Sequence, residues 1–140
     1  MNIHKLYLLL LSIIIFLSSC EKTPGEGGRA SIIGSVEVER RELIYDDSNE
    51  SIKDTIPSSD TEVFIVYGDN TSPDDRVFTN PDGDFAFNWL RTGDYTIYVY
   101  SEDTSEVVYP LPEFAVYKEV VIDGRKDVVD AGRITIYDEL

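Results

Sequence analysis

Read two residues at a time, the chain alternates from residue 30 onward. Ile32, Gly34, Val36 and Val38 fall on one side of an extended backbone, and Ile33, Ser35, Glu37 and Glu39 on the other. That period of two predicts a strand with one buried face. Residues 62–67 form an unbroken β-branched and aromatic run, which suits a strand inside a sheet. Residues 76–79 and 84–90 flank Asn80-Pro81-Asp82-Gly83. Proline presets φ at the second turn position and glycine accepts positive φ, so this stretch predicts a hairpin. In the second arm, alternation puts Phe85, Phe87 and Trp89 together in the core, with Ala86, Asn88 and Leu90 opposite. Arg91-Thr92-Gly93-Asp94 reads as another turn. It feeds a strand with Tyr95, Ile97 and Val99 facing one way and Thr96, Tyr98 and Tyr100 the other. Residues 114–122 and 128–137 complete the set around Asp123-Gly124-Arg125-Lys126. No stretch sustains a helical period. Seven short strands predict an all-β chain folded as a β-sandwich. Residues 46–60 and 101–112 are predicted as long loops, where a rigid scaffold usually carries its binding sites.

The N-terminus has a different pattern. A short basic start (His4, Lys5) precedes an apolar run over 6–17, broken only by Ser12. Twelve residues make ~18 Å of helix, too short for a ~30 Å hydrocarbon core, and read as the apolar part of a secretory signal. The run ends in Leu17-Ser18-Ser19-Cys20, which resembles a bacterial lipobox. The resemblance implies cleavage before Cys20 and a lipid on that residue. Three parts follow: a signal helix over 1–19, a tether over 20–29 with three glycines and a proline, and a sandwich domain over 30–140. A flexible tether of that length would let the domain stand ~17 Å off the bilayer.

Charge narrows the partners. The chain carries a formal charge of −15, and −16 once the signal with Lys5 is removed. Such a surface disfavours nucleic acid, which needs basic side chains against phosphates, and it repels anionic headgroups. Membrane attachment is therefore expected through acyl chains on Cys20. With Cys20 lipidated no thiol remains for a disulfide, so packing alone must hold the domain.

Residues 77–99 carry a family resemblance. Val77-Phe78-Thr79-Asn80-Pro81-Asp82-Gly83-Asp84-Phe85-Ala86-Phe87, followed by Leu90-Arg91-Thr92-Gly93-Asp94-Tyr95-Thr96-Ile97, resembles the carboxypeptidase regulatory-like domains. Those are seven-stranded prealbumin-like sandwiches, close to Cna-B-type repeats and a carbohydrate-binding-like fold. Ile33-Gly34-Ser35-Val36 resembles their first strand, 62–66 the second and 128–136 the last. Asn80 stands where the family has an acid, and Thr92 where it has a proline before Gly93. The resemblance implies an accessory or binding module, not a catalyst. The intramolecular Lys–Asn bond of Cna-B-type domains is not expected, because 30–38 lacks lysine and 134–137 lacks asparagine.

The candidate chemistry is sparse. The one histidine and the one cysteine are His4 and Cys20, so the domain has no side chains for a His-based triad or a usual zinc site. Glycoside hydrolysis needs two acids about 5–9.5 Å apart in a cleft, and abundant acids alone do not point to such a pair. Asn80, Asp82 and Asp84, or Asp69, Asn70, Asp74 and Asp75, carry oxygens suited to calcium, yet neither loop has EF-hand spacing and turn chemistry accounts for both. No metal, cofactor or enzymatic activity is expected. Asp54-Thr55-Ile56 resembles a short O-glycosylation site of exported Gram-negative proteins. Tyr98, Tyr100, Tyr117 and Tyr137 lie on polar-facing positions and are the candidate binding surface, for an envelope protein or a glycan. The expectation is a lipid-anchored, non-catalytic module of the cell envelope, at the outer membrane on its periplasmic or outer side. The alternative is a carbohydrate-binding surface lipoprotein.

Overall fold

The computed structural model describes residues 23–42, 52–103, 110 and 112–139. The expected signal helix, Cys20 and residues 104–109 lie outside them. Eight strands follow one another: β1 (Glu26–Glu42), β2 (Ile52–Pro57), β3 (Glu62–Tyr67), β4 (Asp75–Phe78), β5 (Asp84–Leu90), β6 (Gly93–Glu102), β7 (Glu113–Ile122) and β8 (Val128–Glu139). They make an all-β sandwich of two four-stranded sheets. The second sheet runs β4-β3-β6-β7 with every pairing antiparallel. The first is organised around β1, which pairs with β8 in parallel and with β5 and β2 antiparallel.

The faces follow the alternation. Ile32, Val36 and Val38 of β1 meet Val63, Ile65, Ile97 and Val99 of the second sheet in one buried cluster, closed by Phe85, Phe87, Ile122 and Ile134. Each such side chain contributes ~1.5–3 kcal/mol on burial, the main force available to a domain without a crosslink.

Three expectations are corrected. The strand count is eight, not seven, because β2 lies within the stretch read as a loop over 46–60. The reason is the length of β1: its residues 26–35 use β5 on one edge, and residues 37–42 of the same edge need another partner. β2 supplies it, and Ile56 packs against the core. The predicted hairpin across 80–83 is a turn between sheets, since β4 pairs with β3 and β5 with β1. Trp89 is not core. It is 70 % exposed, while Leu90 is 2 % exposed. Alternation breaks there because Glu26 and Ala30 both register with Leu90, leaving residues 27–29 bulged. Trp89 takes a φ of 63°, which turns its ring outward and lets Leu90 point in. Gly28 permits this bulge: a Cβ on it would sit 1.7 Å from the Leu90 carbonyl oxygen.

β1 also begins at Glu26, inside the segment read as a tether. Val36 marks the handover between its two edge partners. Its N–H donates to the Gly83 carbonyl at 2.8 Å, and its carbonyl accepts from the Ser58 N–H at 2.9 Å. Gly83 has a φ of 81°, and a Cβ on it would stand 2.4 Å from the Val36 carbonyl oxygen. Gly83→Val should therefore destabilise the fold by about 2–4 kcal/mol, from left-handed strain plus displacement of β1. The check is a denaturant midpoint; an unchanged midpoint would mean that the turn does not depend on glycine.

Candidate functional site

The outer face of the second sheet carries a row of aromatic rings. Phe64 of β3 stands directly opposite Tyr98 of β6, and Tyr98 directly opposite Tyr117 of β7. The Phe64 and Tyr98 rings stack with centroids 5.0 Å apart and planes 14° apart. Tyr100, two residues along β6, meets both edge-on, at 5.7 Å from Phe64 and 5.6 Å from Tyr98. Tyr117 leans on Tyr98 at 5.6 Å. Cross-strand pairing of rings at such separations is stabilising in itself. Tyr98 is consequently 8 % exposed although it faces away from the core, while Tyr100 is 47 % and Tyr117 63 % exposed. Burial pushes the Tyr98 phenol above its ordinary pKa, with Tyr100 next in effect. At one end of the row Arg76 of β4, opposite Phe64, forms an ion pair with Glu62.

Three of the four tyrosines singled out from sequence thus come together, and Phe64 joins them. Tyr137 does not: it lies on β8 in the other sheet, where its N–H donates to the buried Ser101 Oγ at 2.9 Å. Phe64 was missed because it lies in a continuous apolar run, which has no visible outer face. Its register with Tyr98 is the signal, and register is not written locally.

A second feature is a groove of about 870 Å³ where β4 of the second sheet meets β1, β5 and β8 of the first. Ile33, Phe78, Ala86, Asp130 and Arg133 are among the residues that line it. Phe78 is 55 % exposed. Asp84 adds a carboxylate, and Arg133 is held by Glu37 at 3.2 Å. The outward position of Ile33 in the β1 alternation was a readable hint of this groove.

The polar turn residues serve the backbone. Asn80 Oδ1 accepts from the N–H groups of Asp82 and Asp84, both at 2.9 Å. An aspartate would do the same, so the acid-to-Asn80 departure preserves the turn. In the neighbouring loop, Asp74 accepts from the Tyr67 N–H at 2.7 Å and from Asn70 Nδ2 at 2.8 Å. Thr79, 6 % exposed, accepts from the Thr61 N–H and donates to the Ser58 carbonyl, tying the β2–β3 link to the β4–β5 turn.

Tyr95 fastens the start of the domain. Its ring is 2 % exposed. Its hydroxyl accepts from the Gly25 N–H at 2.9 Å and donates to the Arg91 carbonyl at 2.8 Å, a corner of the kind seen in other sandwiches. The Arg91 N–H in turn donates to the Gly25 carbonyl at 2.8 Å. Burial raises the Tyr95 pKa against the opposing effect of these hydrogen bonds. Tyr67, edge-on to Tyr95 at 5.7 Å, is pushed up to about 12 by burial and then by the carboxylates of Asp75, Glu26 and Asp74.

No family model matches the chain, and no curated protein matches it in sequence. Among solved structures, it is similar to a provisionally assigned carbohydrate-binding protein from Pseudomonas aeruginosa. The two share 11 % identity, with a TM-score of 0.48 over 87 % of this chain and 94 % of the other. A likeness this distant assigns neither ligand nor partner.

Three outcomes follow from the tyrosines. Tyr98→Ala should destabilise the domain by about 2–4 kcal/mol, because it empties the centre of the ring cluster, whereas Tyr100→Ala and Tyr117→Ala should cost under ~1 kcal/mol each. Equal thermal midpoints for the three variants would contradict the packing. Tyr95→Phe should cost ~1–3 kcal/mol by orphaning the Gly25 N–H and the Arg91 carbonyl. A raised phenol pKa also means that the unfolded chain loses its proton first. Stability should be full below pH 10 and fall as pH rises toward 12 through the Tyr67 titration. Denaturation midpoints across that window should slope less in Tyr67→Phe than in wild type.

Proposed function

We propose that this chain is a lipid-anchored, non-catalytic module of the cell envelope that docks a protein partner on the Phe64–Tyr98–Tyr100–Tyr117 face. The observation that carries the reading is that face itself: two half-exposed tyrosines held rigid by two more rings beneath and beside them. Protein interfaces favour this composition, with tyrosine and arginine as anchors and little rotamer entropy to lose. Arg76 at the edge of the row adds a polar rim. The lipobox-like run ending at Cys20 supports the anchor, and the resemblance to carboxypeptidase regulatory-like domains supports an accessory role. The absence of histidine and thiol from residues 21–140 supports a non-catalytic reading. The Gram-negative outer membrane is the proposed location, with the domain on its periplasmic or outer side.

A carbohydrate ligand is the second reading, and the groove beside Phe78 favours it. The groove combines the exposed Phe78 ring with Asp84, Asp130 and Arg133, a mixture of an aromatic and planar polar groups that suits a sugar.

The test uses the intact lipoprotein in its membrane. A photo-crosslinking residue at position 117 should capture one envelope protein, and Tyr100→Ala should reduce that capture at least ten-fold without lowering the thermal midpoint by more than a few degrees. Glycan-array binding that survives Tyr100→Ala and Tyr117→Ala but is lost in Phe78→Ala would select the second reading instead. Cys20→Ala should abolish fatty-acid labelling; equal labelling of wild type and variant would remove the anchor.

A further inference from the structure

Trp89 is the feature that neither reading uses. A tryptophan at a φ of 63° is strained, because a left-handed backbone suits glycine and not a bulky side chain. The ring that this strain turns outward is 70 % exposed. Such outliers are a reason to look for a role.

Its surroundings supply one. Hydrogen bonds and register gather several element ends at one end of the sandwich. Gly25 is bonded to Arg91 and Tyr95, Ser31 Oγ donates to Asn88 beside Trp89, and the Ser31 N–H donates to the Asp127 carbonyl. Gly93 registers with Ile122, and Ser31 with Val128. This end therefore holds Trp89 together with Val121 and Val128, which are 53 % and 65 % exposed. Arg29, Arg91, Arg125 and Lys126 are exposed around it, interspersed with Glu26, Asp94 and Asp123.

The anchor emerges from the same end. Pro24 lies against Gly68 and Gly93, where an added Cβ would meet its ring at 3.0 and 2.9 Å. The domain is thus fastened from Pro24 and Gly25 onward, and two residues, Glu21 and Lys22, separate Thr23 from Cys20. Covalent geometry limits that span to roughly 11 Å, whatever its conformation. This is less than the ~17 Å reach of a free nine-residue tether.

We infer that the end carrying Trp89, Val121 and Val128 rests in the headgroup layer of the membrane to which Cys20 is anchored. The inference depends on the anchoring proposed above. Tryptophan favours that layer, because its ring is apolar and its N–H is polar. Mixed charges around it match zwitterionic headgroups, with arginines to phosphate and carboxylates to ammonium. The long axis of β1 then points away from the bilayer, and the tyrosine face stands at the side, open to a partner.

Trp89 is the chain's single tryptophan, so its fluorescence reports this site alone. The full-length precursor is expressed, and the mature lipoprotein is reconstituted in phosphatidylcholine vesicles. Relative to Cys20→Ala protein in buffer, its emission should shift to the blue and its acrylamide quenching should fall at least two-fold. Phospholipid brominated near the glycerol should quench it. A polarity-sensitive dye on Val128→Cys should report the headgroup layer. The same dye on Thr55→Cys, which pairs with Glu39 toward the far end of β1, should report water. Lipid-bearing protein on vesicles with Trp89 as open to acrylamide as in buffer would overturn the inference while sparing the anchor. A mass spectrum without lipid, and no flotation with vesicles, would overturn both.

Discussion

One strand with two edges has to serve three partners. Among the described residues, β2, β5 and β8 reach the first sheet only through β1. β8 takes one edge along most of its length, so β5 and β2 must share the other. The division falls at Val36, whose N–H goes to the end of the β4–β5 turn and whose carbonyl goes to the link after β2. Gly83 is required at that point because the two partners leave no room for a side chain. The core depends on this arrangement, since the inward residues of β5 and β8 can close on the second sheet only when β1 holds them in register.

The two sheets solve their outer faces differently. On the second, the strands align aromatic residues in adjacent positions, and the rings cover one another until Tyr98 is nearly as buried as the core. Rings locked this way lose little freedom on meeting a partner. On the first, β1 presents Ile33 beside the small Ala86, and the surrounding side chains leave a groove. A rigid flat face and an open groove suit different ligands, which is why protein and carbohydrate readings attach to separate surfaces.

The clamp formed by Tyr95, Gly25 and Arg91 connects the core to the membrane question. A buried hydroxyl must be paired, and one of the two groups that pair it, the Gly25 N–H, belongs to the first residues of the domain, the other being the Arg91 carbonyl. Satisfying Tyr95 therefore ties the chain down at Gly25, five positions after Cys20. Under the proposed anchoring, a packing requirement inside the sandwich in this way limits how far the domain stands from the lipid.

Alternation along the chain was enough to assign the buried faces of β1 and β6, with Tyr95 on the same side as Ile97 and Val99. These are local properties: an extended backbone sends successive side chains to opposite sides whatever it later pairs with. The turn at 80–83 was equally local, because Asn80, Pro81 and Gly83 specify its dihedrals and hydrogen bonds among themselves. Which sheet each arm joins was not local. Neither was β2, whose polar residues pair only because β1 has an edge to fill, nor the outward turn of Trp89, which follows from a bulge in β1 many residues away. The tyrosine row was half legible. The outward direction of Tyr98, Tyr100 and Tyr117 followed from period, but the addition of Phe64 and the separation of Tyr137 followed from register and sheet membership. The sequence by itself determined which face a regularly alternating side chain takes, and only the tertiary structure decided where alternation breaks, as at Trp89, and which neighbours share a face, because hydrogen-bonded partners on adjacent strands are chosen by contacts distant along the chain.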